Sequence, residues 1–270
     1  MEFTGAGNTQ RTGLDVKYNR EHLVTFALVF GFLAIWEYCA RAGKISALIF
    51  PAPTFIIQSF FTDLVHGVYT KDTLISLSRM FTGIIIGGGT GLVLGLIMGW
   101  SKPVRKTLDP IISALLPIPK LTLLPMALII FGLGETSRTV MVSISAFFPM
   151  LINAMVGVAQ INPTYYEVIE NYGASRFDVF RKVVLPGSLP FVLSGCRLSF
   201  QAALMITIGV EMMWGNNGLG SVLWLAWETM RMTNLYAVLI IISTIGVGFN
   251  WLLGYLQVVL LPWHHENRPA

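Results

Sequence analysis

The sequence predicts an all-α, polytopic membrane protein with six transmembrane helices. Three observations predict it. Of 270 residues, 54% are hydrophobic and only 12% charged, about half the ~25% charged share of a globular chain. The mean hydropathy is +0.67. Long apolar runs recur six times, separated by polar or proline-bearing segments. A soluble domain of this size could not cover its surface with so few charges. The composition therefore excludes a disordered chain and a disulfide scaffold, and it argues against a water-soluble enzyme. The net charge of +4, from 18 Lys and Arg against 14 Asp and Glu, fits basic loops meeting anionic lipid. No basic stripe is interleaved with aromatics, so nucleic-acid binding is not expected.

Residues 1–22 are polar and carry Arg11, Lys17 and Arg20; they read as a loose cytoplasmic tail. The first span is 23–40. Ala40-Arg41-Ala42 looks like a signal-peptidase site, but the polar stretch ahead of it is long for a signal peptide and five more apolar runs follow. The run is therefore read as an uncleaved span. Segment 43–72 is broken by Pro51 and Pro53. After them Phe55-Ile56-Ile57, Phe60-Phe61 and Leu64-Val65 alternate with Gln58, Ser59, Thr62 and Asp63, which predicts a short amphipathic helix too polar to span.

The second span is 77–100. The third, 115–133, contains Pro117, Pro119 and Pro125, tolerable where neighbours satisfy the freed carbonyls. The hydrophilic turn 134–138 leads to the fourth span, 140–158. A long polar segment, 160–190, precedes the fifth span, 191–214. Residues 215–233 read as an external segment carrying Trp224, Trp227, Glu228 and Arg231. The sixth span is 235–261, closing a membrane domain over 23–262 with a cytoplasmic tail at 263–270.

Counting cations orients the chain. With both termini in the cytoplasm, the inside segments hold ten of the 18 Lys and Arg and the outside segments six. Lys120 and Arg197 lie near cytoplasmic helix ends, where long side chains snorkel to lipid phosphates. Cys39 and Cys196 then fall near opposite faces, too far apart for a disulfide. His22, His66 and the pair His264-His265 are scattered and lack ligand spacing, so no metal site is expected. No grouping of catalytic residues is evident either.

Gly83, Gly87, Gly91, Gly95 and Gly99 fall every fourth residue along the second span. On a helix they form one flat face, widened by Gly88 and Gly89, that lets another backbone approach closely. It reads either as static packing or as the lining of a moving interface. Leucine at Gly91 should force the helices apart, and alanine should be milder.

Segment 160–186 reads QINPTYYEVIENYGASRFDVFRKVVLP. Residues 165–172 can form a helix, Gly173 a sharp turn that ends it, and 175–183 a second helix. That second helix has a charged face of Arg176, Asp178, Arg181 and Lys182, and an apolar face of Phe177, Phe180, Val183 and Val184; Pro186 and Pro190 mark the return to the membrane. A helix–turn–helix with an aromatic knob is built to dock. The spacing resembles the cytoplasmic signature loop of ABC importer permeases, E-A-A-x-x-x-G-x₉-I-x-L-P. Glu167, Gly173, Leu185 and Pro186 match in register, Val183 stands for the isoleucine, and Val168 and Ile169 replace the two alanines.

The resemblance extends over roughly 50–262 and looks most like the nitrate, taurine and aliphatic-sulfonate branch. Ser76-Leu77-Ser78-Arg79, Leu108-Asp109-Pro110, Pro117-Ile118-Pro119, Phe131 to Ser137, Gly173 to Arg176 and Gly218-Leu219-Gly220 carry it. It implies a type I ABC importer permease fold in a bacterial inner membrane. It implies a homodimer, two cytoplasmic ATPase subunits and an extracytoplasmic solute-binding protein. It makes Glu167, Gly173, Ala174, Ser175, Arg176, Phe177, Phe180, Leu185 and Pro186 the ATPase-coupling loop. The chain contains no G-x-x-x-x-G-K-[ST] phosphate loop, so ATP and Mg are expected on the ATPase subunits and no cofactor on this chain.

An acidic residue stands in the branch where Glu211 does, which makes Glu211 either an outer-gate residue or a structural ion-pair partner. Gln201, Met205 and Thr207 in span five and Ser143 and Ser145 in span four are candidates for the pathway, or for plain helix–helix hydrogen bonds. The expected cargo is a small anion of the nitrate, taurine or sulfonate class. An aromatic carboxylate, bicarbonate or a vitamin precursor is the alternative, with Trp224 and Trp227 as aromatic contacts. An integral-membrane enzyme is the alternative of another class; it needs a nucleophile or metal cluster, and the sequence offers none.

Overall fold

The computed structural model describes residues 9–262, and every regular element among them is helical. The chain divides into two compact units, one of residues up to 66 with 226–237 and one of 67–225 with the residues from 238 onward.

The first unit is built on α1, Thr9–Arg41, and α2, Pro53–Val65. Helix α1 begins well ahead of the expected span and takes in most of the segment read as a loose tail. No proline lies between Thr9 and Arg41, so nothing stops the helix from propagating back past the apolar run. Phe26, Phe30 and Phe32 on α1 are exposed, as lipid-facing residues are. Pro53 opens α2 at a position where its missing N–H costs nothing. At 13 residues α2 is about 20 Å long, too short for a ~30 Å hydrocarbon core. The Glu37 carboxylate accepts from Arg41, from Thr54 N at 3.1 Å and from Thr54 Oγ1 at 2.8 Å, tying α1 to the start of α2.

In the second unit α3, Thr70–Gly83, runs through a π-helical turn at Ile84–Gly88 into α4, Gly89–Trp100. Together they make one apolar helix of 31 residues. Helix α7, Glu135–Ala159, is its most buried partner, with 56% of its apolar stretch inside. The glycine face lies against it. A Cβ on Gly87, Gly91 or Gly95 would stand 1.9, 2.5 and 2.4 Å from the carbonyl oxygens of Ser143, Phe147 and Leu151. A Cβ on Gly83 or Gly99 would run into Val142 and Val158 at 2.4 and 2.6 Å. Gly88 meets only ordinary contacts and Gly89 meets nothing within 4 Å, so the face is narrower than the sequence suggested. It is also tighter: backbone carbonyls cannot swing aside, and alanine is not mild there.

Helix α5, Lys102–Leu115, a 3₁₀ turn at Lys120–Leu123 and α6, Leu124–Phe131, replace the expected third span. The two halves are bent by 87°. Pro117 and Pro119 cause the break: each lacks an N–H and disfavours helix in the residue before it, and Pro119 itself is extended at φ −62, ψ 113. Among the described residues five helices are long and apolar enough to cross a membrane, and the bent pair supplies a sixth crossing if its halves count as one broken span.

The fifth crossing also starts earlier than expected. Helix α9, Arg176–Val179, passes through a π-helical turn at Phe180–Val184 into α10, Leu185–Trp214. Pro186 sits in the first turn of α10 and Pro190 inside it, so neither marks an entry into the membrane from a separate helix. Helix α8 is Pro163–Asn171, α11 is Leu219–Glu228 and α12 is Met232–Leu260. The core gathers Met80, Leu124, Met141, Val142, Phe200, Ala203 and Val210 from α3, α6, α7 and α10. Ser199 and Ser145 fasten α10 to α7 through the carbonyls of Ala146 and Ala202, at 2.8 and 3.3 Å.

Candidate functional site

Two sites stand at opposite ends of α10. At its C-terminal end, Glu211 is 1% exposed and lies among donors. Helix α3 brings Asp72, Ser76 and Arg79, spaced four and three apart and so on one face. The Ser76 hydroxyl donates to the Glu211 carboxylate, its oxygen 2.7 and 2.9 Å from the two carboxylate oxygens. Arg79 Nη1 donates to Glu211 at 2.8 Å and to the Asn217 carbonyl at 3.1 Å. Its Nε and Nη2 grip Glu135, the first residue of α7, as a bidentate fork. Arg138, one turn along α7, donates to the same Glu135 at 2.8 Å.

The cluster also caps α11. Three successive backbone N–H groups there have no helical acceptor. Gly218 N donates to Asp72 at 2.7 Å, Leu219 N to Ser76 at 2.8 Å and Gly220 N to Glu211 at 3.0 Å. Carboxylates suit the positive end of a helix. Gly218 is required twice over. Its φ is +99, and a Cβ there would stand 2.4 Å from the Glu211 carboxyl carbon. Arg79 is 5% exposed, so its charge is compensated by the two glutamates and not by water.

The other site is segment 160–186. Asn162 caps α8 by accepting from Thr164 N at 3.0 Å. Gly173, at φ +73, ends it. Gly173 N returns to the Glu170 carbonyl at 2.9 Å and Ala174 N to that of Ile169 at 3.3 Å, the paired bonds of a Schellman stop. Ser175 and Asp178 form a reciprocal capping box at the start of α9. Val158, Val179 and Val184 hold the segment from inside, with Tyr166, Ile169, Ala174 and Phe180 packed against them. Burial pushes the Tyr166 hydroxyl above its ordinary pKa. Glu167, Tyr165, Val168, Tyr172 and Phe177 face outward, with Tyr172 and Phe177 at 87% and 69% exposure. Ser175, Arg176 and Leu185 are also exposed, while Pro186 is half-buried. Phe180 is not part of the outward knob. Its ring stacks on Trp100 at 5.3 Å and 5°, because the π turn rotates it toward the end of α4.

The five pathway candidates do not converge. Gln201 and Met205 share an exposed face of α10. Ser145 is buried and spent on the Ala202 carbonyl. Thr207 is buried with a hydroxyl that has no hydrogen-bond partner. Ser143 bonds the Thr139 carbonyl of its own helix at 2.8 Å and borders a cleft of about 400 Å³ with Lys120, Phe147 and Phe148. There Lys120 lies over the Phe148 ring at 5.0 Å. Among the described residues no three His, Cys, Asp or Glu gather as a metal site; His264 and His265 lie outside those residues.

Asp72, Ser76, Arg79, Glu135, Arg138 and Asn217 were absent from the sequence-based site. A signal for three of them existed. Ser76, Arg79, Glu135 and the Gly218–Gly220 triplet all lie in the short stretches that carried the resemblance, and these meet around Glu211.

Comparison with known proteins identifies the family of the chain. Residues 91–263 match the family described as binding-protein-dependent transport system inner membrane component. The taurine transport system permease of Escherichia coli is 30% identical, with 92% of each chain aligned. The nitrate import permease of Synechococcus elongatus is 30% identical over 73% of this chain and 74% of its own. Among solved structures, an inward-facing form of the MetNI methionine ABC transporter superposes with a TM-score of 0.55 at 20% identity. That superposition covers 73% of this chain and 95% of that one, and it establishes the shared fold. The chain therefore belongs to the inner-membrane components of binding-protein-dependent transport systems, the permeases of ABC importers.

Proposed function

We propose that this permease imports small anions of the nitrate, taurine and sulfonate class, working as a homodimer with two cytoplasmic ATPase subunits and an extracytoplasmic binding protein. Both termini lie in the cytoplasm in this reading. Segment 160–186 is then the ATPase dock. The observation that carries it is the outward row of Tyr165, Val168, Tyr172 and Phe177 on a doubly capped helix pair. A rigid, apolar, exposed patch of this kind marks a protein contact. ATP and Mg are held by the ATPase subunits, and this chain transmits their movement.

At the far end of α10, the Glu211 cluster acts as a latch on the outer side. It fastens α11 to α3, α7 and α10 through charges that are buried only while the cluster is closed. Opening it hydrates Glu211 and Arg79 together, so the closed state is held by pairing and released as a unit.

The cargo class is tested by titrating the partner binding protein with nitrate, taurine, alkyl sulfonates, bicarbonate and thiamine precursors. Binding of an anion from the first three, with uptake of the same anion by reconstituted vesicles, is the expected result. Binding restricted to bicarbonate or to a vitamin precursor would remove the nitrate, taurine and sulfonate class while leaving the permease assignment intact.

A further inference from the structure

Two clefts lie side by side at the 160–190 end of the second unit. One, of about 760 Å³, is bordered by Tyr165, Lys182 and Phe191; the other, of about 720 Å³, by Arg197, Trp251 and Tyr255. They share Ser194 and Gln257 and so form one groove between α10 and α12. Among the described residues no carboxylate lines either part. Lys182 already pairs with Asp178 at 3.0 Å. Arg197 makes no ion pair among the described residues, and its buried Nε has no hydrogen-bond partner. A guanidinium that borders a cleft without a counter-charge favours an anion there, which would supply the missing pairing.

The depth of Arg197 says which anion fits. Gly195 packs on Met150 and Asn153, while Gly95 on α4 packs on Leu151. Arg197 is therefore level with the α4 turn ending near Gly95, about 10 Å from Trp100 at the helix end. Tryptophan commonly marks the membrane–water boundary, and an arginine stem spans most of that distance with its head in the headgroup layer. Trp251 and Tyr255 stack at 6.3 Å and are 73% and 60% exposed. They give the groove an apolar wall with polar tips, the arrangement that suits a lipid at an interface.

We infer that this groove binds an anionic phospholipid, with Arg197 on the headgroup phosphate, Gln257 as a further donor, and Trp251 and Tyr255 along the glycerol and upper acyl chain. The Arg197 end of the groove shares no residue with segment 160–186 or with the Glu211 cluster, while its other end borders Tyr165 and Pro186 of the segment proposed to dock the ATPase.

The test uses the whole transporter purified from membranes and reconstituted in nanodiscs with or without phosphatidylglycerol in phosphatidylcholine. Phosphatidylglycerol retained per permease is counted by mass spectrometry for wild type, Arg197→Gln, Arg197→Lys and Arg181→Gln. Arg197→Gln should retain about fivefold less, one cation's share of the attraction to anionic headgroups. Arg197→Lys and Arg181→Gln, the latter an exposed cation outside the groove, should retain nearly the wild-type amount. Phosphatidylglycerol should raise the melting temperature of wild type and not that of Arg197→Gln. Should that variant fail to accumulate, Ser194→Leu fills the groove from an exposed position and must show the same loss. Equal retention and equal stabilisation in the variants would overturn the inference. So would a change of oligomeric state with lipid retention intact, which would give the groove to a second copy of the chain.

Discussion

Glu211→Gln is expected to cost about 3–5 kcal/mol, the usual penalty for removing one partner of a buried pair. Glutamine keeps the shape of the side chain but turns one acceptor end into a donor. Every group facing Glu211 is already a donor: Ser76, Arg79 and Gly220 N–H. One of them must lose its bond, and Arg79 keeps only Glu135 as a counter-charge. The start of α11 should loosen. In reconstituted transporter the closed state becomes less favoured, so basal ATPase activity should rise and stimulation by the loaded binding protein should fall. Thermal unfolding in detergent and ATPase assays with and without binding protein read both effects. A lower melting temperature with an unchanged stimulation ratio would reduce Glu211 to a structural ion pair and remove the latch.

Gly87→Ala is expected to destabilise the protein by at least the ~1–3 kcal/mol typical of overpacking. The added methyl has 1.9 Å to the Ser143 carbonyl oxygen, and that oxygen belongs to the backbone of the most buried helix. Gly91→Leu should be worse, since its whole side chain must fit where a Cβ has 2.5 Å. Gly89→Ala supplies the contrast. Nothing lies within 4 Å of its Cβ, and alanine is the better helix former by about 1 kcal/mol, so it should match or exceed wild type. Melting temperatures of the three purified variants check the order. Wild-type behaviour of Gly87→Ala would mean that α4 and α7 do not pack as described.

Much of the fold was legible because membrane constraints write themselves as long apolar runs. The glycine stripe predicted a close helix contact, and the contact exists. What the runs could not show was where helices continue past lipid. Thr9–His22 is helical although polar, since an absence of proline decides that and hydropathy does not; the helix expected at 175–183 forms, but it continues without a break into α10. The break in the third apolar run was a matter of degree: its three prolines were visible, but the 87° bend depends on where Pro119 can lie extended. At the site, Glu211 stood out as a charge in an apolar run. Its partners did not, because Ser76, Glu135 and Gly220 are ordinary residues of three separate helices, brought together only by packing. Phe177 and Phe180 looked alike on a helical wheel. The π turn, which no periodicity announces, sends one outward and the other onto Trp100.

Co-purification of the ATPase subunit with Gly173→Asp permease tests the central claim most directly. Gly173 has φ +73 and nothing within 4 Å of a built Cβ. Aspartate is among the few residues that tolerate that backbone region, so the variant should insert and accumulate like wild type. Its carboxylate would project from the turn between α8 and α9, into the surface proposed to meet the ATPase. The account predicts wild-type levels of permease in the membrane, loss of the co-purifying ATPase and loss of uptake. Undiminished ATPase recovery with normal uptake would contradict it, and segment 160–186 would no longer be the dock.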